Sequence, residues 1–205
     1  ARKIVVTSGK GGVGKTTISL GIMQALTKRN LKVQPYKVGP DYIDPSYHTF
    51  ITGRYSRNLD SYMLDDEKIK YIVKNASKDA DISVIEGVMG LYDGYGIDLN
   101  DCTSSYTSKM LKTPVILVIN AKAMASSAAA MVLGYKMLDE NVNIAGVITN
   151  NVKSESHYNT LKEAIEKYTG VEVLGYFPPN KEFSLESRHL GLIPSMEMDS
   201  LKAKF

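Results

Sequence analysis

Ile4-Val5-Val6-Thr7-Ser8-Gly9-Lys10-Gly11-Gly12-Val13-Gly14-Lys15-Thr16-Thr17 is the stretch that decides the fold. A short apolar run leads into the pattern G-x-x-x-x-G-K-[ST] over residues 9–16, and a helical pattern follows. Strand, glycine-rich turn and helix in that order are the context that makes this pattern a phosphate loop. Gly11, Gly12 and Gly14 let backbone N–H groups crowd around phosphate oxygens without a Cβ in the way. Lys15 is placed to reach the outer phosphates, the Thr16 hydroxyl suits Mg²⁺, and Val13 and Thr17 complete the cradle. The helix that follows directs its positive end at the anion. Lys10, inside the loop, reads either as a second phosphate contact or as a solvated lysine. The stretch predicts that the chain binds a nucleoside triphosphate.

Outward from this loop, short apolar runs alternate with helical patterns. Strands are predicted over residues 3–7, 32–37, 82–86, 115–120, 144–150 and 173–177. Helices are predicted over 16–29, 66–75, 103–111, 125–138 and 154–167. The run Val115-Ile116-Leu117-Val118-Ile119 is continuous rather than alternating, as a strand buried on both faces requires. The alternation predicts an α/β fold of the P-loop NTPase type: a mostly parallel sheet with helices on both faces. In such a sheet ligands bind at the carboxyl ends of strands, so residues that follow each strand are site candidates. The methionine- and alanine-rich run over 124–137 reads as a packed helix face.

Three strand ends carry chemistry. After the second strand comes Lys37-Val38-Gly39-Pro40-Asp41-Tyr42-Ile43-Asp44-Pro45. A turn explains its glycine and prolines but does not require both Asp41 and Asp44, either of which would hold Mg²⁺ directly or through water. The third strand runs into Glu86-Gly87-Val88-Met89-Gly90-Leu91-Tyr92-Asp93-Gly94. An acidic residue ending an apolar strand opposite a phosphate loop is the usual place for a second Mg²⁺ carboxylate, here Glu86. Asp93 follows in a glycine-rich loop suited to closing over a substrate. Asn150 ends a further strand, and its amide matches the donor–acceptor edge of adenine.

Composition bounds the reading. With 205 residues, 43% of them apolar and 23% charged, the chain suits one sizeable α/β domain with a full core. A net charge of +3 comes without a basic stripe, so no nucleic-acid partner is expected. No apolar run is long enough to cross a bilayer and the N-terminus lacks a signal-peptide layout, so no membrane role is expected. The single Cys102 fits a reducing, cytoplasmic setting. His48, His157 and His189 are scattered and form no metal-ligand pattern.

Lys37–Pro45, Glu86–Gly94 and Ser187-Arg188-His189-Leu190-Gly191-Leu192 together resemble the signatures of the cobyrinic acid a,c-diamide synthase family. The resemblance spans residues 3 to about 195 and implies a dethiobiotin-synthetase-like fold. It also implies ATP- and Mg²⁺-dependent amidation of two acetate side chains of a corrinoid polycarboxylate. On matching positions it assigns Lys15 and Thr16 to the triphosphate and Mg²⁺. Asp41, Asp44, Glu86 and Asp93 become metal or substrate-activation residues, and Asn150 reads adenine. Family members usually carry a C-terminal glutaminase domain. The expected layout here is a synthetase domain over 1–195 with a tail, or a truncated linker to a glutaminase domain, over 196–205, and ammonia from a glutaminase domain or subunit, or free in solution. The loop Gly9-Lys10-Gly11-Gly12-Val13-Gly14 resembles that of partition and septum-site ATPases, which implies a homodimer in which Lys10 reaches the other nucleotide. Those switches usually carry an Asp-x-Pro after the third strand, where this chain reads Glu86-Gly87-Val88. Dethiobiotin synthetase, cobyric acid synthase and other tetrapyrrole diamide synthases are the enzymatic alternatives.

Overall fold

The structure is a computed structural model and describes residues 2–179. The segment 187–192 and the domain boundary expected near 195 lie outside the described residues. The elements run β1 (Arg2–Ser8), α1 (Lys15–Lys28), β2 (Val33–Val38), α2 (Ile43–Thr52), β3 (Arg57–Leu59), α3 (Asp66–Ala76) and β4 (Ile82–Gly90). They continue with α4 (Ser104–Met110), β5 (Val115–Asn120), α5 (Ser127–Leu138), β6 (Ile144–Asn150), α6 (Glu155–Thr169) and β7 (Val173–Phe177). The strands form one sheet in the order β3-β2-β4-β1-β5-β6-β7. Pairing is parallel from β3 to β2 to β4 and from β1 to β5 to β6 to β7. Helical crossovers between successive strands leave no other direction open.

Two elements go beyond the sequence expectation. Residues 43–52, read as part of a loop, form α2, and β3 was not anticipated at all. Pro45 deceives as a helix breaker. It stands in the first turn, where a backbone N–H has no partner to lose. β4 also continues through Gly87-Val88-Met89-Gly90, so its glycines lie in a strand rather than a loop.

The described chain falls into two compact units, one built on Thr16–Glu86 and the other on Val5–Lys15 with residues 87–179. The first closes over Ile18, Leu20, Met23, Tyr36, Leu59, Ile69, Val84 and Ile85, each at most 1% exposed. Burying each such side chain contributes about 1.5–3 kcal/mol. Tyr36 brings a hydroxyl into this core and donates it to the Val73 carbonyl at 3.0 Å, so that this hydroxyl is satisfied. The second closes over Val5, Val6, Leu91, Leu117, Val118, Val147, Leu161 and Ile165, none of them exposed. Two of its helices, α4 and α6, start on side-chain caps: Thr103 accepts from the Tyr106 N–H and Ser154 from the His157 N–H.

The helix predicted over 125–138 exists as α5, and of the expected packed run of methionines and alanines it is the small residues that are buried. Ala128, Ala129 and Val132 are buried in α5. Met131, Leu133, Met137 and Leu138 are 37%, 39%, 56% and 58% exposed. The small residues allow close approach of the helix, and the long ones are left on its outer side.

Candidate functional site

β2 delivers Lys37 near the end of a strand whose residues are all buried. In register beside it on β4 stands Glu86. Side chains of partnered residues on adjacent parallel strands share a face, with the strands about 4.8 Å apart. The lysine Nζ lies 3.3 Å from Glu86 Oε1, and the glutamate is fully buried. α2 brings the next charge. Asp44, in its first turn, is 1% exposed and lies 3.0 Å from Lys37 Nζ. One turn later on the same helix, His48 Nε2 is 2.7 Å from Glu86 Oε2 with both side chains fully buried. The other imidazole nitrogen, Nδ1, is 3.1 Å from Ser56 Oγ. Finally Thr16, the residue after the phosphate-loop lysine, donates its hydroxyl to Glu86 Oε1 at 2.7 Å.

This is a concentrated set of charges for a protein interior. Burial pulls the Lys37 ammonium down. The Glu86 and Asp44 carboxylates, with Asp41 behind them, outweigh that and hold its pKa above the ordinary lysine range. Lys37 is therefore a cation at neutral pH. Asp41 stands at the edge of the set, 3.9 Å from the lysine. Its Oδ1 accepts from the Ile43 and Asp44 N–H groups at 2.8 and 3.3 Å, which satisfies two donors at the start of α2. Asp41 thus builds the helix that carries Asp44 and His48.

The phosphate loop is held by neutral contacts. Tyr135 on α5 donates its hydroxyl to the Gly9 carbonyl at 2.6 Å, and Tyr92 donates to the Tyr135 carbonyl at 2.6 Å. Burial first and the Asp139 carboxylate second push the Tyr92 phenol up to about 12, so it stays a neutral donor. The Ser8 hydroxyl lies 2.7 Å from the Lys10 carbonyl and Asn150 Nδ2 donates to the Val13 carbonyl at 2.8 Å. Gly14, with φ of 92°, passes so close to Asn150 that a Cβ there would meet its Nδ2 at 2.5 Å. By contrast, a Cβ at Gly11 or Gly12 would meet nothing within 4 Å. The loop thus presents open space on the side where a phosphate needs it, and an anion fits.

A divalent cation fits the other set. Thr16, Asp44 and Glu86 offer oxygen donors alone, which is what a hard cation such as Mg²⁺ takes. Among the described residues no group of three His, Cys, Asp or Glu side chains stands ready to hold a metal unaided. Such an ion draws further ligands from phosphate oxygens and water.

The structure brings Thr16, Asp41, Asp44 and Glu86 together within one unit. Gly11, Gly12, Val13, Gly14, Lys15 and Asn150 belong to the other, and Thr17 follows Thr16 in α1. Lys10 is exposed on the loop. Asn150 has engaged one donor with Val13 and its acceptor with the Asn151 N–H at 2.9 Å, leaving one amide hydrogen and one lone pair for a base. Asp93 accepts from the Gly90 N–H at 3.2 Å. Its carboxylate raises the Tyr135 phenol, second to burial. His48 escaped the sequence reading. Its spacing of four from Asp44 was the available signal, but only a helix over 43–52 gives that spacing meaning. Beside Asp41 opens a groove of about 710 Å³ lined by Tyr42, Phe50, Tyr55, Arg57 and Asn58 among others. Tyr42 and Tyr55 are each 75% exposed there, and the Arg57 guanidinium sits 5.9 Å over the Tyr55 ring. Among the described residues no helix is long and apolar enough to cross a membrane.

The family described as the CobQ/CobB/MinD/ParA nucleotide binding domain matches residues 4–193. The chain is 53% identical to the cobyrinate a,c-diamide synthase of Listeria monocytogenes over 99% of its own length and 45% of that protein. It is 51% identical to the protein of the same name from Streptococcus sanguinis over 100% of itself and 45% of the relative. The Salmonella typhimurium protein of that name is 51% identical over 94% of this chain and 42% of its own. The chain therefore spans less than half the length of these curated relatives. Among solved structures, the MinD cell division protein of Aquifex aeolicus superposes with a TM-score of 0.57 at 23% identity, over 89% of this chain and 84% of that one. Chloroplast FtsY from Physcomitrella patens gives 0.58 at 15% identity, over 84% and 57%. At such identities the likeness is one of fold.

Proposed function

The chain belongs to the CobQ/CobB/MinD/ParA nucleotide binding domain family, and from that premise we propose that it is the synthetase part of an amidating enzyme. The reaction is ATP- and Mg²⁺-dependent amidation of the a- and c-acetate carboxylates of cobyrinate or a close corrinoid, in cobalamin biosynthesis. The observation that carries the reading is the hydroxyl of Thr16 donating at 2.7 Å to a fully buried Glu86, with Lys37 and Asp44 gathered around that carboxylate. A carboxylate resists attack by ammonia because it would have to expel oxide or hydroxide. Transfer of the γ-phosphoryl group to a carboxylate oxygen releases ADP and leaves an acyl phosphate. Ammonia then adds to the carbonyl, loses a proton, and phosphate departs with the C–O bond electrons.

Each residue has its part. Gly11, Gly12, Val13, Gly14, Lys15 and Thr17 cradle the triphosphate, with Lys10 at its edge and Asn150 reading adenine. Thr16, Asp44 and Glu86 would hold Mg²⁺, whose chemistry when bound is to neutralise charge on the phosphoryl oxygens. Lys37 and Asp41 keep that carboxylate set in place, and Asp93 handles the acceptor carboxylate. The groove beside Asp41 supports an acceptor of this kind: aromatic walls suit the edge of a flat macrocycle, and Arg57 suits its carboxylates. Residues 1–195 form the synthetase domain and 196–205 a tail. Ammonia comes from a glutaminase domain or subunit, or from solution, and a homodimer brings Lys10 to the second nucleotide.

The purified chain is to be mixed with ATP, Mg²⁺, ammonium and cobyrinic acid at alkaline pH, and products followed by mass spectrometry and ADP release. Conversion of two carboxylates to amides is expected, and Lys15→Ala is expected to abolish nucleotide binding in a folded protein. ADP release without any amide would favour a related ligase or an ATPase switch instead.

A further inference from the structure

His48 has no place in the reading above, yet it makes one of the shortest contacts in the buried charge set. We infer that His48 is a positioning residue that locks the rotation of the Glu86 carboxylate, so that Oε1 stays turned to Thr16 and the cation. The inference rests on Thr16 and Glu86 as Mg²⁺ ligands.

The geometry divides the two glutamate oxygens. Oε1 takes the Thr16 hydroxyl at 2.7 Å and Lys37 Nζ at 3.3 Å. Oε2 lies 2.7 Å from His48 Nε2. The terminal torsion of a glutamate is broad, so the carboxylate has little rotational preference of its own. A donor fixed on one oxygen supplies that preference. Since ionised Glu86 is acceptor-only, Nε2 must carry the hydrogen. In the neutral ring Nδ1 then accepts from the Ser56 hydroxyl at 3.1 Å, which fixes the ring plane. α2 carries His48 one turn beyond Asp44, and both are buried on one side of the helix. Pro45, Ser46, Thr49 and Phe50, also on α2, line the open groove. One helix therefore sets Asp44 against Lys37 and His48 against Glu86 while its other side meets the groove.

The test reads metal affinity rather than turnover. Binding of Mn²⁺ in the presence of a non-hydrolysable ATP analogue is followed by electron paramagnetic resonance for the full chain, His48→Ala and His48→Gln. Loss of a partner that orients a metal ligand typically weakens metal binding about tenfold to a hundredfold. That loss is expected for His48→Ala, with affinity for the analogue without metal unchanged. His48→Gln, whose amide N–H reaches toward the same place, should recover most of it. In the metal-free wild type, long-range ¹H–¹⁵N spectra should show the His48 ring held as the Nε2–H tautomer. A folded His48→Ala with wild-type Mn²⁺ affinity, equal losses for His48→Gln and His48→Ala, or an Nδ1–H ring would overturn the inference. Should wild type bind Mn²⁺ and analogue yet amidate no corrinoid, the proposed function falls while the role of His48 stands.

Discussion

The charge set around Lys37 and the phosphate loop around Gly9 are organised by opposite means. The first is held by ions: the Lys37 ammonium lies against the buried Asp44 and Glu86 carboxylates, with the half-buried Asp41 at 3.9 Å. The second is held by neutral groups, two tyrosines, a serine and an asparagine, each donating to a backbone carbonyl. The difference follows from what each has to receive. A loop that must offer N–H groups to an anion cannot also place carboxylates on itself, so its shape comes from hydrogen bonds to its carbonyls. Carboxylates gathered in a protein interior need a positive charge beside them, which Lys37 provides. Ionic organisation is brittle to loss of a member, whereas neutral bonds can be removed singly at small cost.

The largest test of that contrast is Lys37→Met. It removes the ammonium that faces the buried Asp44 and Glu86 carboxylates. Breaking a buried ion set by removing one partner costs about 3–5 kcal/mol, and that loss of stability is expected in denaturant melts. A variant as stable as wild type would mean the carboxylates are neutral and the ionic description wrong. On the neutral side, Tyr135→Phe removes the 2.6 Å bond to the Gly9 carbonyl. A neutral hydrogen bond contributes about 0.5–1.5 kcal/mol, so nucleotide affinity should fall by roughly threefold to tenfold while turnover at saturation persists. A loss as large as that of Lys15→Ala would erase the distinction between the two regions.

How much of this was legible depends on what each element buries. β5 and β6 read as apolar runs because both faces are covered, and the phosphate loop reads itself through glycine and lysine spacing. α2 was illegible because its buried side consists of Asp44, Tyr47, His48 and Ile51. Half of that side faces ions rather than oil, so no apolar period of 3.6 marks it. Asp41 and Asp44 were read as site candidates, but the helix joining Asp44 to His48 was not anticipated. β3 was illegible for its length: three residues with a single partner, β2, leave no pattern to detect. In α5 the period was visible, but apolar character alone does not say that alanines pack and methionines stay outside.

The smallest expected effect lies on the surface, as a control for ions that are not buried. Arg54 holds Asp79 in a bidentate pair at 3.0 and 2.7 Å. That hydrogen bonding lowers the Asp79 carboxyl to about 2. A depressed carboxylate stabilises the fold above its unfolded pKa and loses that contribution as pH falls through the folded one. The melting temperature of wild type should exceed that of Asp79→Asn slightly at pH 5, and the gap should close as pH falls from about 4 to about 2. A gap that persists below that window would assign the effect to something other than ionisation.

β3 also bears on how copies of the molecule behave toward one another. Among the described residues it is the last strand on that side of the sheet, so its outer backbone groups face no further strand. An edge left long, flat and apolar is a template on which a second chain adds its own strand. Here the edge is three residues long, Arg57 and Asn58 are exposed on it, and Gly53 with φ of 69° turns the chain shortly before it. The brevity that hid this strand from the sequence reading is thus also what keeps the sheet from growing: a finished edge, closed to further strands at high concentration.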